Sequence, residues 1–157
     1  MGKLITAEEL NDLELAASAA PRKRKNKNLH SEPDLVQRFF NGLAQGTYVR
    51  PHRHMRPKGR DGFEMMACLR GSVGFLIFDV DGNVQSTVKI SAGGDSVYEI
   101  PQGVYHSLVC LSETAIILEI KEGPYEPFLD KDFLDFFPQE GSEQAALVEK
   151  EWRQKFY

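Results

Sequence analysis

The chain has 157 residues, 41% hydrophobic and 27% charged, with a formal net charge of −4 and a sequence pI near 5.6. That length suits one domain and buries enough surface to fold without disulfides. The acidic balance argues against a general nucleic-acid binder, and no apolar run approaches the ~20 residues of a membrane span.

From the N-terminus, Thr6-Ala7-Glu8-Glu9 reads as a capping box that opens a helix to about Ala19, stopped by Pro21. The acidic residues Glu8, Glu9, Asp12 and Glu14 do not fit a secretory signal, so the cytoplasm is the expected location. Arg22-Lys23-Arg24-Lys25-Asn26-Lys27 is the one strongly basic run. Without interleaved aromatics it is not read as a nucleic-acid site. If the run is a strand, Arg24, Asn26, Asn28 and His30 face one way together. Pro33 and Asp34 then predict a short helix from Leu35 to Leu43.

Beyond Gly46 the pattern becomes strand-like, with candidates at Thr47–His52, Phe63–Leu69, Ser72–Val80, Val84–Ile90, Ser96–Ile100, Ser107–Leu111 and Thr114–Lys121. Asp81-Gly82 is a hairpin signal. Seven short strands with frequent turns predict an all-β sandwich or barrel. A last helix is expected from about Ser142 to Phe156. Cys68 and Cys110 show no metal-type or disulfide spacing and read as reduced, buried thiols.

Three of the four histidines lie in the strand region, two as His52-Arg53-His54. Residues i and i+2 of a strand share a face, about 6–7 Å apart, so both imidazoles can reach one ion. Glu64 and His106 each open a later strand. Three imidazoles and a carboxylate suit a first-row transition metal and leave positions open for chemistry. By the same parity Tyr48 and Arg50 share the inward face, Arg50 as an anion grip and Tyr48 as a proton donor. Met66 and Cys68 follow Glu64 inward, and Leu108 and Cys110 follow His106. The loop Met55–Phe63, with Arg56, Lys58 and Arg60, joins Arg53 in an expected basic mouth.

Two motifs carry a resemblance. The first is Gly46, five residues, His52-Arg53-His54, nine residues, Glu64, six residues, Gly71. The second is Gly94, six residues, Pro101-Gln102-Gly103, two residues, His106, three residues, Cys110. Together they resemble the paired motifs of the cupin superfamily. The His54–Glu64 connection is longer than that pattern by about five residues, which leaves Asp61 as a competing carboxylate. The Gly94–Pro101 spacing is one residue long, and Cys110 stands where the pattern has Asn. The stretches Pro21–His30, Tyr48–His54 and Glu119–Tyr125 further resemble the WbuC family of cupin-fold metalloproteins, found beside bacterial surface-polysaccharide (O-antigen) genes.

The resemblance implies an all-β cupin double-stranded β-helix (jelly-roll) barrel with flanking N- and C-terminal helices. A single cupin domain would fill 1–157, with its core at about 46–121, a helix and basic strand at 5–45 and an extension at 124–157. The expected ligands are His52, His54, Glu64 and His106 around one divalent ion (Fe, Mn, Ni or Zn). The expected partner is a small anionic, sugar-derived molecule, and the expected assembly is a homodimer. The reaction stays open between isomerisation or epimerisation and oxygenation. A non-catalytic, metal-dependent carbohydrate-binding module is the alternative.

Overall fold

In the computed structural model, which describes residues 2–126 and 131–157, two five-stranded antiparallel sheets carry helices at both ends. Helix α1 (Ala7–Ala19) is opened by Thr6, whose hydroxyl accepts from the Glu9 amide while the Glu9 carboxylate accepts from the Thr6 amide. This is the predicted reciprocal cap, and it satisfies two donors at the helix start. Strand β1 (Arg24–Asn28) is the basic run, paired with β2 (Val36–Ala44).

Strand β2 replaces the helix expected at Leu35–Leu43. Its inward face, Gln37, Phe39, Asn41 and Leu43, lines a cavity. Its outward Phe40 packs with Leu13 and Ile116 beneath α1. A strand covered on both faces loses the polar alternation that would have marked it.

The remaining strands are β3 (His52–Arg53), β4 (Glu64–Arg70), β5 (Ser72–Phe78), β6 (Val84–Ser91), β7 (Val97–Ile100), β8 (Tyr105–Cys110), β9 (Thr114–Glu122) and β10 (Asp132–Phe133). One sheet runs β1-β2-β9-β4-β7 and the other β10-β3-β8-β5-β6. The expected strand at Thr47–His52 is reduced to β3, with residues 47–51 outside any strand. At the tight link from β4 to β5, Gly71 has φ +69° and lies against the Thr114 carbonyl and the Ser112 hydroxyl, leaving no room for a Cβ. Helix α2 (Glu143–Gln154) starts at Ser142, as predicted, and buries Trp152.

The sheets are not closed into a barrel, which corrects the barrel expectation. They face each other as a jelly roll. The apolar core between them centres on Phe75, Val73, Ile90, Ile100, Ile117 and Cys110, and it includes the predicted inward residues Met66, Cys68 and Leu108. The thiols of Cys68 and Cys110 are free and buried, and burial pushes Cys110 up to about 11. Among the described residues, no helix is long and apolar enough to cross a membrane.

Candidate metal centre

His52, His54, Glu64 and His106 come together with ligand-capable atoms all within 4.8 Å of one another, and all four side chains are buried. The two sheets divide them. β3 and the residue after it carry His52 and His54, and β8 carries His106, cross-strand partner of His52. Glu64 projects from the start of β4 in the facing sheet. Asp61, the competing carboxylate, is exposed outside the cluster, and its amide donates to Glu122. The long His54–Glu64 connection therefore still delivers Glu64.

Backbone carbonyls set two of the imidazoles. His52 Nδ1 lies 2.9 Å from the Arg50 carbonyl, and His106 Nδ1 lies 2.9 Å from the Val104 carbonyl. A carbonyl can only accept, so each Nδ1 carries the proton and donates. In the neutral ring Nε2 then presents a lone pair. His106 Nε2 stands 2.8 Å from Glu64 Oε2, and His54 Nε2 stands 3.0 Å from Glu64 Oε1. Neither His106 Nε2 nor Glu64 Oε2 makes a well-aligned hydrogen bond, although both are buried. Two acceptors facing each other at that distance repel unless a proton or a metal cation lies with them. Neighbouring donors on an octahedral ion bonded at ~2.1 Å stand about 3.0 Å apart. The donor set and its spacing thus fit a first-row divalent ion.

Electrostatics point the same way. Burial holds the His52 imidazole well below its ordinary range, with Lys131 and His106 adding to the effect. Burial alone would raise the Glu64 carboxyl, but contacts from His106 and His54 outweigh it and hold the group well below the usual carboxylate range. Burial thus favours the neutral imidazole at His52, and the neighbouring histidines favour the carboxylate anion at Glu64, both forms that ligate a metal.

The cluster sits in a cavity of about 830 Å³, near the upper end of the roughly 300–1,000 Å³ of small-molecule sites. The opposite wall is polar. Asn41, Glu119 and Lys121 are buried there, Asn41 Nδ2 donating to Glu119 Oε2 at 2.8 Å. Lys121 Nζ lies 3.9 Å from Glu64 Oε1 and 4.0 Å from Glu119 Oε1. Burial and the neighbouring Glu64 push the Glu119 carboxyl up to about 8. These residues were missed from sequence, although the alternation Ile117, Glu119, Lys121 along β9 placed two ionisable groups on the face of a core residue.

Two expected residues point elsewhere. Tyr48 stacks on Trp152 at 5.4 Å, and its hydroxyl donates to the Pro138 carbonyl. Burial pushes its phenol up to about 12. The Arg50 guanidinium donates to the Asp135 carbonyl and lies 5.4 Å from the Phe133 ring centroid. Neither side chain lines the cavity. Strand parity fails there because residues 47–51 are not a strand.

The row Arg24, Asn26, Asn28 and His30 does line it. The basic mouth is largely neutralised: Arg53 pairs with Asp132 at 2.6 Å, and Arg60 pairs with Glu122 at 2.9 Å. Met55, Arg56 and Arg60 line a separate cavity of about 500 Å³.

Facing antiparallel sheets with a buried three-histidine, one-glutamate cluster give the jelly-roll fold expected from the cupin resemblance, with a candidate metal centre. Residues 5–90 match the family described as Domain of unknown function (DUF6016), and the chain belongs to that family. No curated protein matches its sequence. Among solved structures, KdgF from Halomonas sp. is similar at TM-score 0.53 and 15% identity, over 70% of this chain and 86% of that one. The SPY1581 protein of Streptococcus pyogenes, of unknown function, aligns at 0.54 and 15%, over 80% of this chain and 91% of that one. Oxalate decarboxylase from Lactobacillus farciminis, in its formate complex, aligns at 0.54 and 20%, over 71% of this chain but 31% of that enzyme. At these identities the likeness is one of fold.

Proposed function

We propose that this chain is a metal-dependent cupin that binds and transforms a small anionic molecule at His52, His54, Glu64 and His106. The observation that carries the reading is the buried, unbonded approach of His106 Nε2 to Glu64 Oε2 at 2.8 Å, with the other ring nitrogen committed to a carbonyl. An ion held there supplies Lewis-acid or oxygen-activating chemistry. The chain's own residues bury the site, fix the tautomers of two rings and line a cavity large enough for a ligand. The WbuC resemblance adds sugar derivatives of bacterial surface-polysaccharide metabolism as the substrate context, and a homodimer as the assembly. Isomerisation or epimerisation and oxygenation are the reactions to screen.

Metal analysis of untagged protein tests the centre. The parent should carry or take up about one equivalent of a transition metal. His54→Ala and Glu64→Ala should each lose it while keeping the parent's circular dichroism. A parent that takes up no metal on reconstitution sinks the reading. Loaded protein is then offered a panel of sugar acids and sugar nucleotides. Product formation identifies an enzyme, whereas ligand-induced thermal stabilisation without turnover identifies a binding module.

A further inference from the structure

The β-ladders bring a second set of polar groups onto the cavity face. In the first sheet, Gln37 pairs with Lys121, and Lys121 with Glu64. One row along, Asn28 pairs with Phe39, Phe39 with Glu119, and Glu119 with Met66. In the next row Asn26 pairs with Asn41, and Asn41 with Ile117. All of these except Ile117 line the 830 Å³ cavity that also contains His52, Glu64 and His106. From β4 across β9 and β2 to β1 is three strand spacings, about 14 Å. The face is therefore much longer than a two- or three-carbon acid.

Charge along it is uneven. Lys121 stands near both Glu64 and Glu119, and a divalent ion on the histidines leaves the buried part with a net positive charge whether or not Glu119 is ionised. A buried net charge is costly unless the ligand balances it. A ligand carboxylate contributes to that balance. Lys121 brings an ammonium to the centre, lying 3.9 Å from a carboxylate oxygen of the proposed ligand Glu64. Farther out the lining offers neutral amides, in Gln37, Asn41, Asn26 and Asn28, interspersed with the charged Arg24, Lys25 and Glu32. Amides donate and accept, as hydroxyl groups do, and add no charge. Phe39 puts an aromatic ring on this stretch of wall.

We propose that the cavity takes an extended, hydroxyl-rich monocarboxylic acid, its carboxylate bound between the metal centre and Lys121 and its hydroxyl-bearing body lying along Asn41 toward Asn26 and Asn28 of β1. The proposal rests on the metal-centre reading and gives it a substrate class. It also moves the anion grip from Arg50, which faces away, to Lys121.

Isothermal titration of the full-length, metal-loaded protein tests it with four probes: glycolate, gluconate, lactobionate and the uncharged sorbitol. Metal content is measured on every sample, so loss of the ion is read separately from loss of the acid. The parent should bind lactobionate most tightly, then gluconate, then glycolate, and sorbitol not measurably. Lys121→Met should keep its metal and lose about ten- to a hundredfold in affinity for every acid, the scale of one charge-assisted hydrogen bond. Lys121→Arg should recover part of it. An Asn26→Ala, Asn28→Ala double variant should weaken lactobionate while leaving glycolate unchanged. Arg50→Ala should bind all four as the parent does. Acid affinity unchanged in metal-loaded Lys121→Met overturns the proposal. So does sorbitol bound as well as gluconate, lactobionate bound no better than glycolate, or no acid bound at millimolar concentration.

Discussion

Single side chains show where parity can be trusted. His52 and His54 lie on one face as an i, i+2 pair should, because β3 and the residue after it continue one extended path against β8 and β10. Extending the rule two and four residues back failed for Arg50 and Tyr48, since residues 47–51 have no strand partner to hold them in register. Applied to β9, the same rule would have found Glu119 and Lys121 beside Ile117. What was legible was a motif with fixed spacing, and what was not was a polar pair hidden in an apolar strand. The thiols give a test at this scale. With Cys110 held up near 11 by burial, its thiolate is on the order of one in a thousand at about pH 8. Iodoacetamide at that pH should leave Cys110 unmodified in the native protein and alkylate it on unfolding, as read by intact mass. Rapid native alkylation at Cys110 would place that thiol outside the core.

At the scale of elements, the predicted helices α1 and α2 formed where cap residues announced them, at Thr6 and Ser142. Local signals sufficed because a cap is satisfied within a few residues. Strand β2 misled for the opposite reason. Its identity depends on β1 and β9 pairing on either side and on α1 covering its back, none of which is local. Gly42 marks that packing, since a Cβ there would stand 2.7 Å from the Leu13 carbonyl and 2.8 Å from Leu13 Cγ. Gly42→Val should push α1 off the sheet and cost about 1–3 kcal/mol, seen as a lower denaturant midpoint with an unchanged slope. A midpoint equal to the parent's would mean that α1 is not seated there.

At the scale of the whole molecule, the all-β class, the flanking helices and the order of most strands were legible from turn spacing and β-branched runs. Closure was not. Whether two sheets join at their edges depends on twist and register, which the pattern of residues leaves open. Metal removal is the test that belongs here. An ion bound only by the folded state stabilises it by about 4 kcal/mol at a thousandfold excess over its Kd, and each kcal/mol moves the midpoint of a chain this size by about 2–4 °C. Exhaustive chelation should therefore lower the thermal midpoint clearly, and a stoichiometric first-row ion should restore it. An identical midpoint with and without chelator would separate folding from the cluster.

The cluster draws its imidazoles from one sheet and the residue that follows its strand β3, and its carboxylate from the other sheet, and among the described residues these sheets share no ladder. An ion at that seam would act as a clasp across the mouth of an open clamshell. Its radius and charge would then set how far the two walls stand apart. Exchanging one metal for another would change the gauge of the cleft as well as the reactivity inside it, so that the ion would help to choose the cargo.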